Sequence, residues 1–247
     1  MNLTFLEHLQ LDLNRIDELA SGDLSVTVPS CPGWDLGRLV GHLGRVHRMA
    51  LAVVSTGSMS PAAPADLAAP PDDQDALRSY FSESAAQLVS DLATTSLEAP
   101  CWTFLGTGDV TAFWHRRLAH EHSVHRYDAE LAVGTPNPIP VDLAIDGVNE
   151  YFLMSNVRVL PKKPDFALGG TIHLHATDSP DGEWMIEQTG SALTVSHGHR
   201  KGDAAVRGTA SDLLLGLWGR KDLTGTEGFE HFGNQVITAK LASLGGS

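Results

Sequence analysis

The sequence predicts an α plus α+β protein, a four-helix bundle followed by a smaller α/β domain. Three observations predict it. Apolar residues recur at spacings of three and four in segments before residue 133, the period of an amphipathic helix. Beyond residue 170 the alternation shortens to two, the period of a strand. Between these textures GTPNPIP (134–140) puts three prolines in five positions, which stops helix formation and marks a boundary. The domains are therefore expected at 1–137 and 138–247.

Leu3, Leu6, Leu9, Leu13, Ile16 and Leu19 define the first helix, with Gly22 as its stop. A short extended stretch, 25–30, leads into Cys-Pro-Gly-Trp. Asp35 then stands where an N-cap is wanted, ahead of LGRLVGHLGRVHRMALAVV. Leu36, Leu39, Val40, Leu43, Val46, Met49 and Val53 form the apolar stripe of that second helix. Residues 57–72 are rich in Pro, Ala and Gly and read as a loop. A third helix is expected at 73–92 and a fourth at 111–132. Residues 141–157 read as helix, and 171–177, 183–188 and 192–198 as strands, with DSPDG as the first turn. Helices at 210–218 and 227–242 complete the pattern of an α+β domain. Trp34, Trp114 and Trp218 are expected to anchor the core.

Composition narrows the function. The chain of 247 residues carries 17 Lys and Arg against 30 Asp and Glu, a formal charge of −13. Neither half hides a basic module, since 1–145 has 8 basic and 18 acidic residues and the remainder 9 and 12. A nucleic-acid surface, which needs clustered Lys and Arg, is excluded. No run of 18 apolar residues exists to span a membrane. The N-terminal segment has acidic residues among its apolar ones and no basic region, unlike a signal peptide. Two cysteines make no disulfide framework, so a cytoplasmic location is expected.

The histidines, 12 in all, are the unusual count. Glu121 and His125 stand four apart on the expected fourth helix, one above the other on the same face. A carboxylate oxygen and an imidazole nitrogen so placed can meet one cation, with His122 as the competing partner of His125. A third ligand must come from a facing helix, and His42, between Val40 and Leu43 on the second helix, is the natural donor. Two His and one Glu with an open fourth position form a catalytic zinc arrangement. His173 with His175, and His197 with His199, share strand faces by period two. They are either a second site or, more simply, a solvated face. His8, His47, His115 and His231 have no ligand-spaced partner. Cys31 is either a thiol nucleophile or a buried packing residue, and the absence of a resolvable base favours packing.

Three stretches carry a resemblance. VPSCPGWDLGRLVGHL (28–43) resembles the N-terminal signature of the mycothiol-dependent maleylpyruvate isomerase family, part of the wider DinB-like group. RLAHEHSVHRYDAE (117–130) is similar to its second signature, and VRGTASDLLLGLWGR (206–220) to its small C-terminal domain of sterol-carrier-like type. The resemblance implies a zinc ion, or another divalent metal, on His42, Glu121 and His125, the same three that spacing selects. It also implies a low-molecular-weight thiol, typically mycothiol, as cosubstrate. In the family's isomerase a thiolate adds to the substrate's double bond, and rotation and elimination then convert cis to trans. Other relatives use the thiol as transferases acting on different electrophiles. Arg220, in the third motif, is expected to face the interdomain cleft and anchor an anionic substrate, the alternative being a surface Arg. Arg126 and Asp128 are expected either to orient the metal ligands or, for Arg126, to pair across the bundle. The expected partners are a small electrophile and a thiol, with no nucleic acid and no membrane. The competing readings are a mycothiol S-transferase, a non-catalytic small-ligand or lipid carrier, and a zinc-stabilised scaffold. The thiol, the electrophile and the oligomeric state are not legible in the sequence.

Overall fold

Four helices build the first part of the chain: α1 (Phe5–Ala20), α2 (Leu36–Val54), α3 (Gln74–Thr94) and α4 (Thr111–Ala132). The structure, a computed structural model, describes residues 3–106 and 108–245. The chain divides into two units, 1–137 and 138–247.

Of these four helices, all but α4 begin where the sequence offers a cap. Thr4 and Glu7 form a capping box at α1, and the Asp35 carboxylate accepts the Arg38 N–H at 2.7 Å at the start of α2. Asp73 does the same for α3 through Ala76 N–H at 2.9 Å. The stop of α1 differs from expectation: it ends on Ser21 in right-handed geometry, and Gly22 does not adopt positive φ. The first unit pairs α1 with α4 and α2 with α3. Leu9, Ile16, Leu39, Leu43, Phe81 and Trp114 are among its fully buried residues.

The α2 stripe is shifted from the purely apolar reading. Val46 and Met49 are half-buried, while Gly44 and His47 take buried positions. Gly44 is required by close approach, since a Cβ there would stand 2.5 Å from Tyr80 Cε1. Tyr80 cannot easily yield. Its hydroxyl donates to the Ala68 carbonyl at 2.8 Å, and the Arg48 guanidinium lies 3.4 Å from its ring centre. Alanine would add about 1 kcal/mol of helix propensity. Overpacking against a fixed ring costs about 1–3 kcal/mol. Gly44→Ala is therefore expected to lower the urea midpoint despite the better helix former.

His47 and His122 form a buried neutral pair. His122 Nδ1 donates to the Leu118 carbonyl at 2.7 Å, so its Nε2 accepts from His47 Nε2 at 2.8 Å. The Ser84 hydroxyl lies 2.9 Å from His47 Nδ1. Burial pushes both imidazoles down, His122 to about 4. His122 thus belongs to this pair and does not compete for the cation with His125.

The second unit starts with α5 (Val141–Met154), which loosens into a wider turn over Ser155–Val159. Five strands follow: β1 (Ile172–Ala176), β2 (Glu183–Thr189), β3 (Ala192–His197), β4 (Ala204–Gly208) and β5 (Glu230–Gly233). Helices α6 (Ala210–Leu217) and α7 (Gln235–Ala242) complete it. The sheet order is β3-β2-β1-β4-β5, with β1 and β4 parallel and the other pairs antiparallel. Ile172, Leu174, Trp184 and Ile186 are fully buried, and the Trp184 indole donates to Asn149 of α5 at 2.9 Å. Residues 230–233, expected inside a helix, are instead strand. Gly233 turns the chain at φ +75° and Asn234 caps α7 through Val236 N–H. Strand β4 is also absent from the sequence reading, because its pairing with β1 is non-local.

Of the expected tryptophan anchors, Trp114 is fully buried. Trp218 is half-buried, edge-on to Tyr151, and Trp34 is half-buried too. Among the described residues no helix is long and apolar enough to cross a membrane.

Candidate metal centre

Helices α2 and α4 bring His42, Glu121 and His125 together. Glu121 Oε1 lies 3.1 Å from His42 Nε2 and 3.6 Å from His125 Nε2. The other carboxylate oxygen, Oε2, is held by Arg117, one turn earlier on α4. One oxygen and two imidazole nitrogens therefore converge, within 4.8 Å of one another. The His42 side chain is 35 % exposed and that of His125 is 10 % exposed, so the group opens on the His42 side.

The CPGW loop completes the surroundings. His125 Nδ1 donates to Asp128 Oδ2 at 2.9 Å. Asp128 is fully buried and also accepts from the Ser30 hydroxyl at 2.6 Å and the Cys31 thiol at 3.4 Å. This keeps a proton on His125 Nδ1 and turns Nε2 toward Glu121, the nitrogen that would be free to meet a cation. The Trp34 ring stacks on His125, with 6.2 Å between centres, and tilts against His42 at 5.2 Å. Trp34 is therefore part of the site's wall rather than a core anchor. Cys31 is half-buried and hydrogen-bonded rather than a buried packing residue. Cys31, His125 and Asp128 form an overlapping group of possible ligands, but the Asp128 bond already occupies His125 Nδ1.

Electrostatics favour a cation here. Burial pushes the Glu121 carboxyl up, yet the Arg117 charge and the hydrogen bonds from His125 and His42 outweigh it and hold it well below the carboxylate range. Burial pushes the His125 imidazolium down, but its bonds to Asp128 and Glu121 prevail and raise it to about 9. Two carboxylates that hold a proton on His125 would hold a divalent cation in its place. The donor set of two imidazoles and one carboxylate fits zinc.

The other site residues are placed differently. Arg126 pairs across the bundle with Asp12 of α1 at 2.9 Å and along α4 with Glu130 at 2.5 Å. Arg220 lies in the second unit just after α6, where its Nη1 donates to the Trp218 carbonyl at 2.8 Å. The sequence reading put Trp34 in the core and gave Arg117 no role in the site. For Arg117 a signal existed, the four-residue step to Glu121.

Asp128→Asn tests the role of the orienting carboxylate. The amide keeps the shape but removes the charge behind His125. Metal affinity is expected to fall by about 10–100-fold, as when other outer partners of ligating histidines are lost. Titration against a competing chelator measures it, and an unchanged affinity would show that Asp128 only packs.

Comparisons with known proteins agree along most of the chain. A family profile described as the mycothiol maleylpyruvate isomerase N-terminal domain matches residues 13–130. Another, described as the MDMPI C-terminal domain, matches 142–236. No curated protein matches. Among solved structures, the crystal structures of the mycothiol-dependent maleylpyruvate isomerase and of a histidine-to-alanine mutant of it superpose with TM-score 0.62. Each has 16 % sequence identity and covers 92 % of this chain and 91 % of its own, a likeness of fold. With both domain profiles matched in order, the chain belongs to the mycothiol-dependent maleylpyruvate isomerase family.

Proposed function

We propose that this protein is a metal-dependent enzyme that uses a thiol of the mycothiol type to isomerise a cis-unsaturated acid of the maleylpyruvate type. The observation that carries the reading is the convergence of His42, Glu121 and His125 on one point at the open edge of the bundle. Three protein ligands leave a coordination position free, the pattern of catalytic rather than structural zinc. A divalent metal on these residues would supply the charge that keeps a thiol ionised at neutral pH.

The chain's own residues have separate tasks in this reading. His42, Glu121 and His125 would hold the metal. Asp128 keeps the proton of His125 on Nδ1, Arg117 occupies the second oxygen of Glu121, and Trp34 excludes water from one side of both imidazoles. A thiol that adds to a double bond and leaves again consumes no atoms, so the reaction needs no nucleophilic cysteine from the protein. The Pro/Ala-rich loop 57–72 reaches this end of α2 at its last residues. Pro70 and Pro71 line a cavity of about 370 Å³ with Leu24, Arg38 and Gly41, next to His42 in sequence. Arg220 is assigned as a cationic anchor for a carboxylate on the strength of its motif. Arg220→Ala is expected to raise KM about tenfold or more for the acid, the loss of a charge-assisted contact, and unchanged KM values for both substrates remove it.

The direct test combines metal analysis of the purified full chain with turnover of maleylpyruvate, using mycothiol and then glutathione and cysteine. Metal at one equivalent or more with mycothiol-dependent turnover supports the reading. Protein that binds no divalent metal overturns it. Metal without isomerisation, but with transfer of the thiol to another electrophile, would keep the thiol chemistry and replace the substrate.

A further inference from the structure

The second unit carries a separate cluster of ligating side chains. In β1, His173 and His175 point away from the face formed by Leu174 and Trp184. Their partners in β2 are Met185 and Glu183. Glu183 Oε1 lies 2.8 Å from His175 Nδ1 and 3.2 Å from His199 Nδ1, and Glu183 Oε2 lies 3.9 Å from His173 Nε2. One donor atom from each of the four falls within 4.8 Å of the others.

Topology explains how His199 arrives. Strands β3 and β4 both run parallel to β1, yet β2 and β1 lie between them. Residues 198–203 must therefore cross the sheet, and the His199–Glu183 contact puts that crossing on the histidine face. Gly198, at φ +103°, opens the crossing. Gly202 closes it so near β1 that a Cβ would stand 3.1 Å from the His173 backbone nitrogen. The expectation of a simple solvated face thus fails at His173, which is only 4 % exposed. His197 ends β3 opposite Trp184 and takes no part.

One atom in the cluster has no partner. His173 Nε2 is buried without a hydrogen bond, and it faces Glu183. Buried polar atoms in folded proteins are almost always satisfied, so this one calls for a group the protein chain does not supply.

We propose that His173, His175, Glu183 and His199 form a second metal site, for a divalent transition-metal ion of the zinc type. Three imidazoles and one carboxylate are borderline donors that suit zinc. Four protein ligands close the coordination sphere, so this site is structural, clamping the 198–203 crossing onto β1 and β2. Ligand distances of about 2.0–2.1 Å to zinc require the four groups to draw together. The exposed His199 side chain can supply most of that movement.

The test uses the full chain with the helical site removed by His42→Ala and His125→Ala together. That protein is expected to bind one equivalent of Zn²⁺, and of Co²⁺ with the visible absorption of a four-coordinate ion. Adding His199→Ala, a substitution on an exposed side chain, or Glu183→Gln should weaken this binding by at least about tenfold, as loss of a ligand must exceed loss of an outer partner. The proposal is overturned if the His42/His125 variant binds no metal, or if its binding is indifferent to both further substitutions. Failure of the helical site has a different signature, since metal content would then be equal in wild type and in the His42/His125 variant.

Discussion

His125→Ala is expected to empty the helical metal site and to lower kcat/KM of thiol-dependent turnover by more than about a hundredfold, beyond the cost of losing an outer partner. The imidazole contributes one of three converging atoms, and its removal leaves Glu121 and His42 on different helices with no third donor. It also strands Asp128, whose buried carboxylate then keeps only the Ser30 hydroxyl and the Cys31 thiol of the partners described above. Glu121→Gln is the companion variant. It keeps the shape but removes the charge that offsets a divalent cation, and it leaves Arg117 facing a neutral amide. Both variants should lose the metal of the helical site on dialysis, read by elemental analysis as one equivalent less than the wild type holds. Retention of the full wild-type metal content and activity in His125→Ala would exclude His125 as a ligand.

The largest effect on stability is expected from Arg126→Ala. Its guanidinium joins Asp12 of α1 and Glu130 of α4, and also donates to the Asn137 carbonyl at 3.0 Å. All three charged residues are buried. Removing the cation leaves two carboxylates with too few counter-charges, a change that costs about 3–5 kcal/mol. Arg15 still reaches Glu130 Oε1 at 2.9 Å, so Asp12 bears most of the loss. Asp12 already feels its burial, which raises its carboxyl to about 6 against the opposing pull of Arg126. A carboxyl raised on folding binds more protons in the native state, so it costs stability as pH rises through about 4 to 6. Without Arg126 that pKa rises further. The variant should therefore be weakest near pH 7.5 and recover part of its urea midpoint near pH 5.5, where Asp12 protonates. A loss that does not depend on pH would show that packing, not charge, is what Arg126 contributes.

Much of the helical site was legible in the residues. The Glu121–His125 step needs only the 3.6-residue period of a helix, and α4 spans the residues that period assigns to it. The cap at Asp35 and the break at GTPNPIP are equally local, since they depend on a side-chain oxygen near free N–H groups and on missing donors. His42 was legible as a helix position, but its distance to Glu121 was not. Arg126 and Asp128 were both candidates for orienting the ligands, and only packing separated them. Asp128 faces the CPGW loop, and Arg126 faces Asp12.

By itself the sequence determined the four helices of the first unit, the strands β1 to β3 and the paired ligands on α4, because each follows from contacts within a few residues. Tertiary structure decided the rest. It placed His42 and Trp34 against His125, joined His47 to His122, added β4 and β5 to the sheet, and carried His199 across to His173. Those arrangements join residues far apart in the chain, and neither propensity nor periodicity encodes which distant partner a side chain will meet. Packing and the demand to satisfy buried polar groups select that partner only once the units are folded.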